Sequence, residues 1–263
     1  GLCLAFKGTN YGALLQAFAT QQIVERFGYK TEIIDFVQTD GKTIISSPES
    51  YIARIIEKGR KITGKKDIVQ QDELHKRNKE LRIIVAETFR QEHLHRIARL
   101  SSYDNLVEHS KRYKAVIVGS DQLWLPNIAF TYFYTLRFVN KETIKISYAT
   151  STGVSSYPWY VKKYAAQFLE NIDYLSVRED AGREIVRDAC GRDAKVVLDP
   201  TYLFTKEEWG ELIPCQEVVK EGYVFCFFLG DNTPMKKIAR EYANKRGLRT
   251  VAILSNEVNV DDS

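Results

Sequence analysis

Short apolar runs recur along the chain and alternate with segments that carry apolar residues at helical spacing. After the apolar run at residues 2–6, Leu15, Ala19 and Ile23 follow at four-residue steps, and a second apolar run occupies residues 31–36. This pattern predicts a strand, an amphipathic helix and a strand. Further strands are predicted at 115–118, 144–149, 174–177 and 196–198. The alternation indicates an α/β protein with a Rossmann-like parallel sheet and helices on both faces.

A long polar stretch at residues 38–106 interrupts this alternation, and it contains no strand-like run. Apolar residues at three-, four- and seven-residue steps predict a helix over residues 71–100, so we interpret the stretch as a helical insertion. A cluster of basic residues precedes that helix: Arg54, Lys58, Arg60, Lys61, Lys65 and Lys66. Such a cluster is typical of a solvated helix end, or of a patch for an anionic partner such as a lipid phosphate or an acidic glycan.

The end of the chain starts a second α/β unit. After a predicted linker at 205–222, the pattern predicts a strand at 223–228, a helix at 235–245 and a strand at 250–254. Two strands and one helix cannot cover their own apolar faces. We therefore predict an N-terminal domain at 1–213 and, at 214–263, the start of a second domain that is incomplete in this chain.

Composition narrows the class of protein. The hydrophobic fraction of 44%, the charged fraction of 27% and the net charge of +4 are those of an ordinary globular protein, and they do not indicate a nucleic-acid partner. No stretch resembles a membrane span. The cysteines have no CxxC spacing, which favours reduced thiols and a cytoplasmic location. His93 and His95 are two residues apart and would point to different sides of a helix, so we expect no metal site there.

Polar side chains follow the predicted strands where a ligand would bind. The run at 115–118 gives way to Gly119, Ser120, Asp121 and Trp124. Ligands of open α/β sheets bind outside the carboxyl ends of the strands, which makes these residues candidates for holding a small polar substrate. Two alternatives stay open, because Asp121 would also suit a turn and Trp124 would also fill the top of a core.

Five segments, taken in order, resemble the polysaccharide pyruvyl transferase family. They are Asn10-Tyr11-Gly12-Ala13 with Leu15-Gln16-Ala17, Val118-Gly119-Ser120-Asp121-Gln122-Leu123-Trp124, Ser147-Tyr148-Ala149 with Ser151 and Gly153, Ser176-Val177-Arg178-Glu179, and Leu198-Asp199-Pro200. The resemblance implies two domains arranged as in GT-B glycosyltransferases. It also implies transfer of a pyruvyl group from phosphoenolpyruvate to a sugar diol of a cell-surface polysaccharide or its precursor, as a cyclic ketal. That chemistry requires no metal and no organic cofactor.

The resemblance and the chemistry together suggest roles for particular residues. Arg178 suits the carboxylate or phosphate of phosphoenolpyruvate, although an ion pair with Glu179, Asp180 or Asp199 is an equally good account of it. Ser120 and Asp121 suit the sugar hydroxyls, and Trp124 offers a platform for the sugar ring. The remaining candidates follow the predicted strands at 2–6 and 144–149: Asn10, Tyr11, Gly12 and Ser151.

The general acid is unassigned, because members of the family usually carry a histidine in the second domain and no histidine follows His109. We expect it beyond Ser263. The acceptor is expected to be a saccharide or a lipid-linked saccharide, which allows peripheral contact with a membrane that holds it. Two other functions stay open, namely a nucleotide-sugar glycosyltransferase of GT-B-like architecture and a non-catalytic glycan-binding relative.

Overall fold

The computed structural model describes residues 1–37, 45–63, 73–96, 99–214, 219–228 and 233–253. It divides into two compact units, Gly1–Thr205 and Lys206–Ser263. The predicted domain boundary after residue 213 stays a prediction. In the larger unit the helices are α1 Tyr11–Arg26, α2 Pro48–Thr63, α3 Glu73–His93, α4 Tyr103–Ser110, α5 Trp159–Glu170 and α6 Asp180–Cys190, and the strands are β1 Leu2–Cys3, β2 Ala115–Val118, β3 Ile144–Ser147, β4 Ser176–Val177 and β5 Lys195–Val196.

The strands of the larger unit pair in one consistent direction. Strands β1, β2 and β3 form a parallel sheet in that order, and β4 pairs in parallel with β5. Isolated parallel bridges join Ile146 to Tyr174 and Thr150 to Val177, which connects β3 to β4. On the other side, bridges join Leu2 to Ile33 and Ile33 to Arg96. The α/β class is thus confirmed.

The order of these pairings has a functional consequence. The pairings run in this order across the described residues: Arg96 and Leu100, then Ile33 and Phe36, then β1, β2, β3, β4 and β5. The segments that follow β1 in the chain are therefore added on one side of it. The chain then returns to the other side of β1, where it adds β2 and the later strands. This is the order of a doubly wound sheet, in which ligands bind in a crevice at the carboxyl ends of the strands where the winding reverses, here β1 and β2.

Both faces of the sheet are buried. Successive residues of a strand point to opposite faces. Leu2 and Cys3 are 1% and 0% exposed, and Ile33 and Ile34 are 0% and 1% exposed. A sheet buried on both sides is what a parallel arrangement requires. One face belongs to a large apolar cluster that includes residues of α5 and α6, among them Val161, Ala165, Phe168, Ile185 and Val186.

The insertion differs from its prediction at the end of its long helix. We predict a helix over 71–100, whereas α3 ends at His93 and residues 96 and 100 bridge to the sheet. The buried amide of Gln21 explains the early end. It donates to the carbonyl of His93 at 3.0 Å and accepts from the amide of His95 at 2.7 Å, so it takes over the backbone groups that a continuing helix would use.

Some of the apolar residues of α3 are buried and others are exposed, which their spacing did not predict. Ala86 is buried, and the ring of Phe89 packs edge-on against that of Phe18 in α1. In contrast, Leu81, Ile84 and Val85 are 48%, 60% and 54% exposed. The predicted positions Leu74 and Ile97 lie outside the described side chains. Residues 31–36 likewise contribute bridges at Ile33 and Phe36 rather than a continuous strand.

The smaller unit begins with α7, Lys206–Leu212, where we predict a linker. Strands β6, Tyr223–Phe227, and β7, Arg249–Ile253, pair in parallel and flank helix α8, Thr233–Lys245, as the pattern predicts. Tyr223, Phe225 and Phe227 are about half exposed. The incomplete second domain and the GT-B-like arrangement stay predictions. Among the described residues, no helix is both long and apolar enough to cross a membrane.

Candidate functional site

Ser120 lies where the loops after several strands meet. Its side chain is buried, and its Oγ donates to Asp199 Oδ2 at 2.6 Å. Its backbone amide donates to Oε1 of Gln16, a buried residue of α1, at 3.0 Å. The same glutamine donates to the carbonyl of Ala5 in the loop after β1, at 2.8 Å. Ser120 and Gln16 therefore join both sides of the crevice between β1 and β2.

Gly119 is required at this position because the chain passes close to the loop after β3. Its φ of 122° is one that residues with a side chain rarely adopt. A Cβ atom placed here would lie 2.0 Å from the carbonyl oxygen of Tyr148 and 2.7 Å from Thr150 Oγ1. The backbone contact cannot be relieved by rotating a side chain. Glycine thus lets the loop that carries Ser120 lie against the neighbouring strand end.

Asp199 is an ionised carboxylate whose two oxygens are both hydrogen bonded. Oδ2 accepts from Ser120 and from Arg178 Nη1, the latter at 3.1 Å. Oδ1 accepts from the amide and the hydroxyl of Thr201, at 3.0 and 2.8 Å. Burial opposes ionisation of Asp199 and would raise its pKa, but the hydrogen bonds from Ser120, Thr201 and Arg178 outweigh burial and lower the pKa below its usual value.

Arg178 follows β4 and lies between two carboxylates. Its Nη1 pairs with Asp199, and its Nε lies 3.7 Å from Glu179 Oε1. Its side chain is 30% exposed. Within the described part of the larger unit, no acceptor contacts its Nη2, so the guanidinium keeps a donor for a further anion. The ion pair that the sequence leaves open as an alternative is thus present. It orients the Arg178 guanidinium but does not engage all of its donors.

Ser151 and Asp121 join the loops after β3 and β2. Ser151 is buried, and its hydroxyl donates to Glu179 Oε1. Its amide donates to the carbonyl of Asp121 at 2.9 Å. The half-buried side chain of Asp121 accepts from the amide of Gln122 at 2.7 Å, which leaves its other carboxylate oxygen without a partner among the described residues. Asp121 is therefore able to accept from a substrate hydroxyl, whereas the Ser151 hydroxyl is already engaged.

Asn10, Tyr11 and Gly12 form the start of α1. The side chain of Asn10 caps the helix by accepting from the amide of Ala13 at 3.3 Å, as its position predicts. Asn10 and Gly12 are exposed, and the guanidinium of Arg82 lies 5.1 Å from the centre of the Tyr11 ring. These residues connect to Ser120 through Gln16, one helical turn further along, and not by a direct contact.

Trp124 is not an exposed platform. Its side chain is 1% exposed, its indole N–H donates to the carbonyl of Tyr134 at 3.0 Å, and its ring packs against Phe168. Stacking on a sugar requires an open ring face, so this geometry corrects the platform interpretation and favours the core-filling alternative. A tryptophan after a strand end looks the same in the sequence whether it faces the crevice or the core.

The structure thus separates the candidates by access. Asn10, Gly12, Tyr11, Asp121 and Arg178 are exposed or partly exposed, whereas the following are buried and hold the loops together: Ser120, Ser151 and Trp124. Asp199, Gln16 and Glu179 were missing from the predicted site. Each lies within a segment that carries the family resemblance, and a carboxylate directly after a predicted strand was the available signal for Asp199. Among the described residues, no group of histidine, cysteine or carboxylate side chains could hold a metal ion.

The fold and this edge of the sheet define an α/β protein with a polar crevice that presents a guanidinium, a carboxylate and a helix N-terminus. A family model described as polysaccharide pyruvyl transferase matches residues 10–261. The chain therefore belongs to the polysaccharide pyruvyl transferase family, and it is a transferase of polysaccharide biosynthesis. No curated protein and no solved structure matches it.

Proposed function

We propose that this transferase moves a pyruvyl group from phosphoenolpyruvate to two hydroxyl groups of one sugar, and that the product is a cyclic pyruvate ketal. The observation that supports this most directly is the environment of the Arg178 guanidinium. Its guanidinium is held by Asp199 and Glu179 and keeps Nη2 available, as a site for the carboxylate or phosphate of the donor needs. The acceptor is a saccharide or lipid-linked saccharide, the reaction takes place in the cytoplasm, and no metal or organic cofactor is involved.

The reaction balances with one molecule of each substrate. A general acid protonates the methylene carbon of phosphoenolpyruvate, which makes the adjacent C2 electrophilic. One sugar hydroxyl adds to C2, the C2–O bond to phosphate breaks, and the second hydroxyl adds in its place. Of the two hydroxyl protons, one replaces the proton given to the methylene carbon and the other leaves with inorganic phosphate. The general acid stays unassigned.

The residues of the crevice have different roles in this proposal. Arg178 binds the donor anion, and the amides at the start of α1, capped by Asn10, add positive potential beside it. Asp121 accepts a hydrogen bond from a sugar hydroxyl through its unpartnered oxygen. Asp199, Ser120 and Gln16 touch neither substrate and orient the guanidinium and the loop. These roles follow exposure: Arg178, Asn10 and Asp121 are exposed or partly exposed, whereas Ser120 and Gln16 are buried.

Binding of phosphoenolpyruvate to Arg178 variants of the full-length protein tests the proposal. A charge-assisted hydrogen bond is worth about 1.5–3 kcal/mol, so we expect Arg178→Ala to raise the Kd for phosphoenolpyruvate about tenfold to more than a hundredfold. Arg178→Lys keeps the charge without the planar fork and should be intermediate. Arg183→Ala is the matched control, since Arg183 pairs with Asp193 on the exposed side of α6. Unchanged affinity in Arg178→Ala would remove Arg178 from the donor site.

A ligand screen by thermal shift separates the proposal from the alternatives that the sequence leaves open. Stabilisation by phosphoenolpyruvate is the expected result, because a ligand that binds the folded state raises its stability. Stabilisation by a nucleoside diphosphate instead would favour a nucleotide-sugar glycosyltransferase. A response to neither donor, together with binding of a glycan, would favour a non-catalytic relative.

A further inference from the structure

Helix α2 turns its apolar side outward. Tyr51 is 57% exposed, Ile55 is 71% exposed, and Ile52 and Ile56 are 38% and 37% exposed. Among its described side chains, those of residues 48–56, the buried ones are small, with Ser50 at 3% and Ala53 at 5%. An amphipathic helix on a globular protein normally packs its large apolar residues inward. Here the opposite arrangement leaves a contiguous apolar surface with no cover among the described residues.

Packing contacts and hydrogen bonds on the inward side of α2 define this orientation. Ala53 belongs to the large apolar cluster, and α2 packs on the 3₁₀ helix Pro126–Phe130. Just before α2 the amide of Ile45 donates to the carbonyl of Phe130 at 2.8 Å, and the hydroxyl of Tyr164 donates to Glu49 at 3.0 Å. The 3₁₀ helix follows the Ser120–Trp124 loop directly, so α2 packs beside the segment that leads out of the crevice.

The charges of α2 indicate which surface would cover it. Arg54 is exposed on the helix, and its guanidinium lies 5.8 Å from the centre of the Tyr51 ring. The helix sequence continues through Lys58, Arg60 and Lys61, against the acidic residues Glu49 and Glu57. An exposed face of aromatic and aliphatic residues, on a helix whose sequence carries more basic than acidic residues, is typical of helices that lie in a membrane interface.

We propose that α2 docks on the surface of an anionic lipid bilayer. Tyr51, Ile52, Ile55 and Ile56 enter the boundary between headgroups and acyl chains, and Arg54 pairs with lipid phosphates. The competing occupant is a second copy of the chain, and the experiments below distinguish the two. This membrane binding does not depend on the proposed transfer reaction.

Co-sedimentation with vesicles tests the apolar part of the proposal. The full-length protein should bind vesicles of phosphatidylcholine containing phosphatidylglycerol, and Ile55→Glu should weaken that binding about tenfold or more, because it removes one inserted apolar side chain and adds a like charge to that of the lipid. Ile238→Glu on α8 is the matched control, since Ile238 is 56% exposed on a different helix. It should bind as the unmodified protein does. Circular dichroism of both variants, and the milder Ile55→Ser, control for folding.

The charge part is tested by lipid composition and salt. Binding should be weaker on pure phosphatidylcholine, should fall with ionic strength, and should drop about fivefold in Arg54→Gln. Absence of binding to the anionic vesicles would overturn the proposal, as would equal binding by Ile55→Glu. A concentration-dependent dimer that Ile55→Glu dissociates, found without vesicle binding, would assign the face to a second copy instead.

Discussion

Replacing Asp199 by asparagine tests whether this partly buried carboxylate holds the crevice together. Asparagine keeps one oxygen, which can still accept from Thr201, but it places an NH₂ group where Oδ2 accepts from Ser120 and Arg178. The serine hydroxyl can reorient and accept, whereas the guanidinium has only donors. The substitution therefore removes one charge-assisted hydrogen bond and leaves Arg178 facing another donor.

The size of the effect follows from the geometry. The side chains of Asp199 and Arg178 are 14% and 30% exposed, so solvent screens their pairing only in part. A hydrogen bond to a charged group contributes about 1.5–3 kcal/mol. For a unit of this size, 1 kcal/mol corresponds to roughly 2–4 °C in Tm. We expect Asp199→Asn to lower the Tm of the larger unit by roughly 3–12 °C, measured by scanning calorimetry.

Asp193→Asn is the matched control for this experiment. Asp193 pairs with Arg183 through two hydrogen bonds of 2.7 and 2.8 Å, but its side chain is 59% exposed. An exposed pair of this kind is screened by water and contributes little, so its Tm should hardly change. Equal losses in Asp199→Asn and Asp193→Asn would refute the argument, since it depends on burial and not on the number of hydrogen bonds.

Three other predictions follow from the same region. Gly119→Ala should lower the free energy of unfolding by about 2–6 kcal/mol, since it combines a strained φ with a backbone collision. Gly191→Ala at the end of α6 meets nothing within 4 Å and should lower it by about 1–2 kcal/mol. Denaturant titration measures both, and similar losses would contradict the close approach at Gly119. Because the pKa of Asp199 is lowered, its ionised form contributes stability above its ordinary value of 3.8, and that contribution is lost as the pH falls through the lower folded value. The Tm should therefore fall less steeply between neutral pH and about pH 3 in Asp199→Asn than in the unmodified protein. Parallel plots of Tm against pH for the two proteins would count against ionisation of Asp199. Trp124→Phe should lower stability without changing affinity for a sugar acceptor, and a selective loss of acceptor binding measured by calorimetry would restore the platform interpretation.

The α/β class and the positions of most elements could be predicted from the sequence. Apolar periodicity is a local property, and it correctly indicated β2, β3, α1 and the β6-α8-β7 unit. The change from apolar to polar residues after residue 118 correctly placed Ser120 and Asp121 beyond the end of a strand. The cap at Asn10 was also local, because an N-cap bonds to a backbone amide three residues away.

Only the tertiary structure decided which polar side chains face the crevice and which hold it together. Ser120 and Ser151 are buried and donate to Asp199 and Glu179, which follow other strands, and Trp124 is buried against Phe168 of α5. Helix α3 ends at His93 because Gln21, 72 residues earlier, takes its backbone partners. The role of Asp199 likewise depends on contacts with residues 79 and 21 positions away. Such contacts leave no periodic signal in the chain, since they arise from the order in which parallel strands assemble. The outward apolar side of α2 is of the same kind, because only packing determines where the apolar side of a helix points.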